Sequence, residues 1–530
     1  MDARAPAGPA PPVPLLGATA AVAAGNLASR VTGFIRVLAV ALALGTTFAG
    51  NTYQTSNLVS NVLFELMAAG ILSSVMVPPF VRLLDEGRRE DAERLAGAVL
   101  GVALAALGAV VLLGVAARPW VMRALTVAVD DPEVRRQEVA LGSFLLVFFL
   151  PQILLYAVGS VATGLLHGAR RFVAAAFAPV ANNLVVIATM LAFWALADGR
   201  PGLDLSTGER LVLGLGTTAG VVAMSAVPLV ALRRAGLRLR PRWDLRQDGL
   251  RRLGRDGVWA AGLLALNQLL IVTTLVLANR IEGGVVAYHI AFQVFLLPFA
   301  LLAHPVTTTL YPRLSADAGA GRWPRYREQL GGGLATVAFL SLPAAALLAA
   351  LAQPVFDVLR LGNLDAAGAA LAARLAAAYA LGLVGFAAFH LMVRASYAAG
   401  DTRTPTLVAI GVTVAGSALM VGWFALAAGP GRLAAVGFAH SIAYVGGAVV
   451  LAARLGRDRV PGHVAASVAR SAACAAGAGL VAWLIGQAVA TGARPAAAGA
   501  LALGGGAGAL FYLGAQRLLR SPQLKALRRP

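Results

Sequence analysis

Charged residues are scarce in this 530-residue chain, where Asp, Glu, Lys and Arg together make up 13% of the sequence. Soluble domains carry roughly 25% charged residues and roughly 45–50% apolar ones. Here the hydrophobic share is 59% and the mean hydropathy is +0.76. The shortage of charge excludes an ordinary water-soluble enzyme and a disordered chain. Because the apolar runs are long and unbroken, they favour an all-α polytopic membrane protein over a β-barrel, whose strands alternate apolar and polar residues.

Cysteine and lysine each occur once, as Cys474 and Lys525. A single cysteine excludes an intramolecular disulfide and a Cys-based metal site. The chain also lacks a zinc-binding H-E-x-x-H motif, a P-loop and a G-x-G-x-x-G stretch at the start of a soluble βαβ unit. We therefore expect no metal site, no cofactor and no enzymatic activity.

Acidic residues are few as well, with 24 against 44 basic residues, which gives a net charge of +20. The arginines cluster in short stretches between apolar runs. No basic stretch carries interleaved aromatic residues or a known nucleic-acid motif. We therefore expect no nucleic-acid partner, and we expect the arginines to face anionic membrane lipids instead.

The apolar runs, separated by charged or Gly/Pro breaks, predict fourteen transmembrane helices. Their predicted limits are 15–45, 52–82, 93–117, 137–167, 173–197, 211–232, 257–279, 286–311, 329–351, 367–398, 405–427, 433–454, 464–489 and 495–516. The Pro- and Ala-rich residues 1–14 predict a disordered cytoplasmic tail, with a signal peptide as the alternative interpretation.

The most basic loops follow the even-numbered predicted helices. The loop 233–256 holds nine arginines against three aspartates, and the tail 517–530 is also basic. The loop 198–210, which follows an odd-numbered helix, holds three acids against two arginines. By the positive-inside rule, the even loops and both termini lie in the cytoplasm of a bacterium, and the protein spans the plasma (inner) membrane. An even number of helices agrees with this orientation.

Two landmarks recur along the chain, which indicates an internal repeat. Predicted helices 2 and 4 end at Pro78 and Gly168, and predicted helices 8 and 10 end at Pro312 and Gly400, with nearly equal separations. Copies that lie six helices apart share one orientation, which predicts two six-helix lobes in parallel repeat. Chance recurrence is the alternative. The predicted units are a tail at 1–14, an N-lobe at 15–232, a basic loop at 233–256, a C-lobe at 257–454, two C-terminal helices at 464–516 and a basic tail at 517–530.

Three predicted helices carry a polar stripe on an otherwise apolar surface. On helices 1 and 2 the stripe spans about 120° of the helical wheel. Because polar and ionisable groups inside a membrane span are costly, they mark functional sites by default. The stripes therefore predict an aqueous cavity. They consist of Asn26, Ser29, Arg30, Gly33 and Arg36 on helix 1, of Asn51, Gln54, Asn57, Asn61 and Glu65 on helix 2, and of His289, Gln293, His304 and Thr308 on helix 8.

Arg30 and Arg36 are the residues of these stripes most suited to binding an anion. A guanidinium stays charged at any relevant pH and binds phosphate through two parallel hydrogen bonds. With Glu65 as the one acid nearby in sequence, the cavity keeps a net positive charge, which suits a phosphate-bearing substrate. Two alternatives stay open: one arginine pairs with Glu65 as a structural ion pair, or Arg36 reaches toward the membrane interface.

Several stretches, spread in order along the chain, resemble the MurJ (MviN) family of lipid II flippases in the MOP exporter superfamily. They are the segments 26–36 (NLASRVTGFIR), 69–78 (AGILSSVMVP), 171–179 (RFVAAAFAP), 295–298 (FLLP) and 398–405 (AAGDTRTP). The amino-acid sequence around Glu65 is most similar to that of the actinobacterial branch. The resemblance implies fourteen helices, two six-helix lobes and two C-terminal helices that line a groove for a lipid tail. It also implies export of the undecaprenyl-pyrophosphate-linked peptidoglycan precursor by alternating access.

The resemblance also implies a substrate site. Arg30 and Arg36 match the family positions that bind the pyrophosphate, and the substrate-binding candidates are Asn26, Ser29, Arg30, Arg36, Asn51, Asn61, Glu65 and Gln293. The chain departs from the family pattern elsewhere. Asn51 replaces an Asp, Phe64 and Gln293 replace cavity arginines, and Thr274 stands near an Asp tied to a sodium site in some members. These departures put a sodium site in doubt and leave open a divergent paralogue with another lipid-linked substrate or a regulatory role.

Two other functions are compatible with the sequence. A cation-coupled multidrug exporter of the same superfamily would need a carboxylate cluster in the N-lobe, where Glu65 is the one acid within predicted helices 1 and 2. A non-transporting scaffold of cell-wall assembly would take cell-wall synthesis or division proteins as partners.

Overall fold

The computed structural model describes residues 15–65, 77–197, 199–243, 268–429, 431–455, 461–489 and 493–526. Within these ranges the chain forms helices and connecting loops. Eleven described helices are long and apolar enough to cross a membrane, or twelve if one bent pair counts as a single span. This confirms the predicted all-α polytopic membrane fold. The number fourteen stays a prediction, because the predicted helices 52–82 and 257–279 lie partly outside the described residues.

The helices of the first half are connected by short loops wherever the connections are described. They are α1 (Leu15–Leu44), α2 (Phe48–Phe64), α3 (Val77–Asp85), α4 (Arg89–Leu125), α5 (Pro132–Phe149), α6 (Gln152–Gly168), α7 (Val173–Leu196) and α8 (Thr207–Arg234). The helices of the second half are α9 (Gln268–Asn279), α10 (Gly284–Pro298), α11 (His304–Gly319), α12 (Trp323–Ala350), α13 (Ala352–Val358), α14 (Ala366–Ala380), α15 (Leu383–Ala398), α16 (Arg403–Leu426), α17 (Gly431–Leu455), α18 (His463–Val489), α19 (Arg494–Leu518) and α20 (Pro522–Ala526).

Three spans that the sequence predicts as continuous depart locally from regular α-helical geometry. α5 and α6 are separated at Pro151, and a π-helical turn, Phe299–Ala303, separates α10 from α11. Proline lacks the N–H that continues a helix and clashes with the preceding turn, and Pro298 and Pro305 flank the π-helical turn. The third break, between α14 and α15, bends the span by 49°.

The bend between α14 and α15 accommodates a close approach of α17. A Cβ atom at Gly382 would lie 2.5 Å from the Cα of Ser441, so that only glycine leaves room at this position. The Ser441 hydroxyl donates a 2.7 Å hydrogen bond to the carbonyl oxygen of Ala378, a group in the last turn of α14. α17 therefore docks directly into the bend.

The described helices form two packing groups. Helices α1 to α8 pack against one another and are called the N-terminal bundle. Helices α10 to α17 do the same, α9 joins them through Leu270 and Leu277, and α9 to α17 are called the C-terminal bundle. α1 and α2 also contact α10 across the boundary between the bundles. Buried aromatic and aliphatic side chains fill each bundle, such as Phe149 and Met190 in the first and Phe295 and Tyr379 in the second.

The two C-terminal helices α18 and α19 pack against each other and against α12. Gly504 and Gly508 of α19 lie one turn apart, where an added Cβ would come within 2.9 Å and 2.8 Å of carbonyl oxygens of α18. Small residues at this spacing let two membrane helices approach closely. The Tyr512 hydroxyl fixes α19 on α12 by donating a 2.7 Å hydrogen bond to the carbonyl of Phe339.

Candidate functional site

A cluster of polar contacts around Arg200 connects the two bundles at one end of the molecule. Arg200, in the loop after α7, donates to Asp365 Oδ2 at 2.9 Å and to Glu282 Oε1 at 3.2 Å. Its second terminal nitrogen also donates to the carbonyl oxygen of Thr46 at 2.8 Å. These four residues are called the Arg200 cluster. One guanidinium thus holds three loops together, one from the N-terminal bundle and two from the C-terminal bundle.

Asn51 makes a buried connection at the same end, where its exposure is 0%. Its amide nitrogen donates to the carbonyl of Ile281 at 2.8 Å, and its amide oxygen accepts from the backbone N–H of Val285 at 2.9 Å. One turn further along α2, the Thr55 hydroxyl donates to Asn279 at 3.1 Å. In this conformation the side-chain amide of Asn51 therefore makes its hydrogen bonds with the backbone of the opposite bundle.

An exposed ion pair and a backbone contact complete this end, which is called the closed end. Arg280 lies 2.7 Å from Asp130, and the backbone N–H of Asn363 donates to the carbonyl of Leu42 at 2.9 Å. An exposed ion pair contributes only about 0–1 kcal/mol. The closed end is thus held by many contacts of modest strength.

Away from the closed end, one polar contact of the described residues crosses between the bundles, from Gln268 of α9 to Glu65 after α2. At the opposite end, which carries the basic loops, the other polar contacts of the described residues stay within one bundle. Arg170 pairs with Asp85 at 3.0 Å inside the N-terminal bundle, and the Tyr326 hydroxyl donates to the carbonyl of Ala395 at 2.8 Å inside the C-terminal bundle. This end is called the basic end. The exposure of α2 changes accordingly along its length, because residues 49–56 are buried whereas most of residues 57–65 are half-buried or exposed.

Arg36 lines a polar cavity of about 210 Å³ midway along the N-terminal bundle. Its positive charge acts on Tyr53 and Tyr156 of the same bundle and on His289 of α10. The guanidinium therefore lies close to the boundary between the bundles. The residues that line this Arg36 cavity are Arg36, Asn57, Asn61, Tyr156, Asn182, Val186, Thr217, Val221 and Met224.

Arg30 lies on α1 nearer the basic end, and its side chain is exposed. Within the described residues neither Arg30 nor Arg36 forms an ion pair with a carboxylate. Glu65 instead accepts a hydrogen bond from the side-chain amide of Gln268 on α9. The alternative in which Glu65 neutralises one of these arginines is therefore not the arrangement in this structure.

The other predicted site residues are distributed along three helices. Asn26 is exposed on α1, and the carbonyl of Ser29 accepts a 3.2 Å hydrogen bond from Asn183 of α7. Gln293 is half-buried on α10 of the other bundle. The structure therefore brings Arg36 and Asn61 together in one cavity, places Asn51 at the closed end, and leaves Gln293 outside the residues that line the cavity.

Three polar residues that line the cavity were not predicted from the sequence. Asn182, Thr217 and Tyr156 come from α7, α8 and α6, and the hydroxyl of Thr217 lies 2.8 Å from that of Tyr53. The amide pair at 182–183, inside an otherwise apolar span, is a signal that could have identified Asn182. A single Thr or Tyr in an apolar helix gives no such signal, because only tertiary packing determines which way it faces.

The described residues contain no group of three or more His, Cys, Asp or Glu side chains that could hold a metal ion. Thr274, which stands near the family's sodium-linked Asp, donates to the Leu270 carbonyl of its own helix at 2.9 Å. The chemistry available at the Arg36 cavity is therefore a permanent positive charge beside neutral amide and hydroxyl groups. Such a set favours an anion.

Comparison with known proteins identifies relatives of this chain. A family model described as lipid II flippase MurJ matches residues 40–493. A probable lipid II flippase MurJ of Rhizobium meliloti is 29% identical over 404 residues, which cover 75% of this chain and 72% of the relative. Lipid II flippase MurJ of Burkholderia cenocepacia is 27% identical and covers 73% of this chain and 74% of its own.

Solved structures with the same fold include a lipid II flippase MurJ in an inward closed conformation. It superposes with a TM-score of 0.76 at 18% identity, covering 94% of this chain and 99% of its own. A second solved structure is described as an inward-facing multidrug resistance transporter of the MATE family, in the MOP superfamily. It superposes with a TM-score of 0.63 at 15% identity, and the match covers 82% of this chain and 95% of that transporter. Because the family model matches most of the sequence, the chain belongs to the MurJ family of lipid II flippases.

Proposed function

We propose that this protein exports lipid II across the bacterial plasma membrane by alternating access, with both termini in the cytoplasm. The observation that carries the proposal is Arg36, which lines a polar cavity close to the boundary between the bundles and pairs with no carboxylate among the described residues, in a molecule whose bundles are joined at the closed end. Two bundles that rock about a central site are the usual construction of such transporters.

The proposed orientation assigns the basic end to the cytoplasm, because positively charged loops are retained there. The closed end, with the Arg200 cluster, then faces the exterior. This conformation is ready to load substrate from the cytoplasm, where the precursor is made. Opening toward the exterior requires breaking the contacts of Arg200, Asn51 and Thr55, each of which crosses between the bundles.

The pyrophosphate of lipid II is the group that Arg30 and Arg36 are proposed to bind. Arg36 can present its two terminal nitrogens to one phosphate while the amides of Asn57 and Asn61 donate from α2. Arg30, nearer the basic end, would meet the anion first. Membrane potential is a suitable driving force, since each charge moved across it is worth about 2.3 kcal/mol per 100 mV.

The remaining parts of the chain receive supporting roles in this proposal. The N-terminal and C-terminal bundles correspond to the lobes 15–232 and 257–454, and residues 464–516 provide a groove for the undecaprenyl tail. The packing of α18 and α19 on α12, outside the boundary between the bundles, supports such a lateral position. Anionic lipids would contact the basic loops at the cytoplasmic surface.

The proposed function predicts that this chain restores growth to a bacterium whose own lipid II flippase is depleted. We expect the double variant Arg30→Ala/Arg36→Ala to fail at equal expression, because it removes both cations of the proposed site. Viability and cell shape after depletion are the measurements. Full rescue by the double variant would refute the role of the arginines. If the wild-type chain does not rescue and copurifies with cell-wall synthesis or division proteins, a scaffold role replaces transport.

A further inference from the structure

Glu138 of α5 is a buried acid inside a membrane span, and the flippase proposal assigns it no role. Its exposure is 0%, and it lies on the half of α5 nearer the closed end. Its Oε2 atom has no hydrogen-bond partner, while its Oε1 atom lies 3.4 Å from the Thr52 hydroxyl of α2. A buried carboxyl group with one polar neighbour needs an explanation, because unsatisfied polar atoms in a protein interior are costly.

The hydrogen-bond donors available at Thr52 and Glu138 indicate which of these two side chains donates the proton in the hydrogen bond between them. The Thr52 hydroxyl has one hydrogen, and it lies 2.8 Å from the carbonyl of Phe48 in its own helix, the shorter of its two contacts. With that hydrogen used, the hydroxyl oxygen can only accept from Glu138. A carboxyl group can donate only when it is protonated. The geometry therefore fits a carboxylic acid better than a carboxylate.

The charges near Glu138 support the same protonation state. An ionised carboxylate without a cation in a membrane-buried site costs several kcal/mol or more. Among the described residues Glu138 forms no ion pair, and its one hydrogen-bond contact is the Thr52 hydroxyl. The titratable groups on the surrounding elements near the closed end are Tyr53 on α2, Arg118 and Arg123 on α4, Tyr156 on α6, Glu209 and Arg210 on α8, Glu133, Arg135 and Arg136 on α5 itself, and Asp130 and Asp131 in the preceding loop.

α2 connects Glu138 to the contacts that close the molecule. Thr52, which touches Glu138, is adjacent to Asn51 and less than one turn from Thr55, the two α2 side chains that bond to the opposite bundle. Opening the closed end must move this part of α2. Such a movement would let water reach the interface between α2 and α5. Water would solvate the ionised Glu138 carboxylate there and so lower the free-energy cost of its charge.

We propose that Glu138 is a proton-binding site that keeps its proton while the closed end is shut and releases it to water when that end opens. The proton leaves the carboxyl oxygen for solvent, so that the opened state carries one more negative charge. This gives transport a dependence on pH that the flippase proposal does not itself require.

The proposal predicts a protonated carboxyl group that disappears in the variant Glu138→Gln. In infrared spectra of the purified full-length protein at pH 7, the carbonyl stretch of a protonated acid should be present in the wild type and lost in this variant. Glu133→Gln is the matched control, because Glu133 is on the same helix but is exposed and paired with Arg136 at 2.7 Å. We expect the control to keep the band. An unchanged band in Glu138→Gln would overturn the proposal.

A second measurement tests the coupling to opening. Spin labels at Thr207 and Ala367, on exposed positions of the two bundles at the closed end, report their separation in a Cys474→Ala background. We expect the fraction with a long separation to rise with pH in the wild type and to stay low at every pH in Glu138→Gln, which mimics the protonated acid. A pH response that is the same in both proteins would refute the coupling.

A third variant covers the case in which Glu138→Gln does not fold. Thr52→Val keeps the carboxyl group and removes the acceptor of its hydrogen bond. We expect the protonated-acid band to remain and to change its frequency. A band at the wild-type frequency in this variant would contradict the assignment to Glu138. Rescue of a flippase-depleted strain is measured separately, so that failure of the proton site and failure of the flippase function are distinguishable.

Discussion

A reversible cross-link between residues 130 and 280 is expected to reduce lipid II transport to the background rate. Asp130 and Arg280 form a 2.7 Å ion pair between the bundles at the closed end. Cysteines at both positions, in a Cys474→Ala background, can be joined by a short bis-thiosulfonate reagent. Because alternating access requires this end to open, the linked protein cannot release its substrate to the exterior. Cleaving the link with a reductant should restore transport.

The matched control is the pair Asp85 and Arg170, which is also an exposed Arg–Asp ion pair at 3.0 Å but lies within the N-terminal bundle. The same two-cysteine design at these positions links two parts that move together, so that transport should continue. The measurement is the appearance of labelled lipid II on the outer face of proteoliposomes. Transport that persists with the link between residues 130 and 280 complete would contradict opening at this end.

Replacing Arg36 with alanine is expected to lower the transport rate at limiting lipid II concentration by roughly 10- to 100-fold. Hydrogen bonds to charged groups contribute about 1.5–3 kcal/mol, and this variant removes the one charged donor of the Arg36 cavity. Arg36→Lys keeps the charge and loses the two-nitrogen geometry that matches phosphate, so that its rate should lie between those of wild type and Arg36→Ala. Initial rates in proteoliposomes provide the measurement.

Arg94→Ala is the control for the loss of one positive charge. Arg94 is exposed near the basic end and pairs with Glu90 and Asp91 of its own helix. Exposed pairs of this kind contribute little, so that the rate should stay within about twofold of wild type. If Arg36→Ala and Arg94→Ala behave alike, the Arg36 cavity does not bind the substrate.

The fold could be predicted from the sequence to the extent that hydrophobicity alone determines it. The helices predicted at 15–45 and 173–197 agree to within one residue at each end with the observed helices Leu15–Leu44 and Val173–Leu196. The agreement arises because charged or turn-forming residues interrupt the apolar runs there. The predicted start at 329 was too late, since α12 begins at Trp323 and its first turns are polar. A search for apolar runs does not detect the polar first turns of a helix that begins outside the membrane core.

The candidate site could be predicted only in part, because a sequence pattern identifies a helix face but not what that face meets. Arg36 and Asn61 belong to predicted stripes and do line one cavity. Asn51 belongs to the same stripe as Asn61, yet it lies at the closed end, since a helix stripe runs through several environments along its length. Arg200 and Asp365 are separated by 165 positions, and loop residues so far apart carry no periodic signal.

The central claim is that the two guanidinium groups of α1 hold the pyrophosphate of a lipid-linked precursor. Native mass spectrometry of the purified full-length protein with lipid II tests this claim most directly, with a neutral phospholipid of similar mass as the competitor. We expect the wild type to retain lipid II selectively and Arg30→Ala/Arg36→Ala to retain neither lipid preferentially. Equal retention of lipid II by wild type and the double variant would contradict the account.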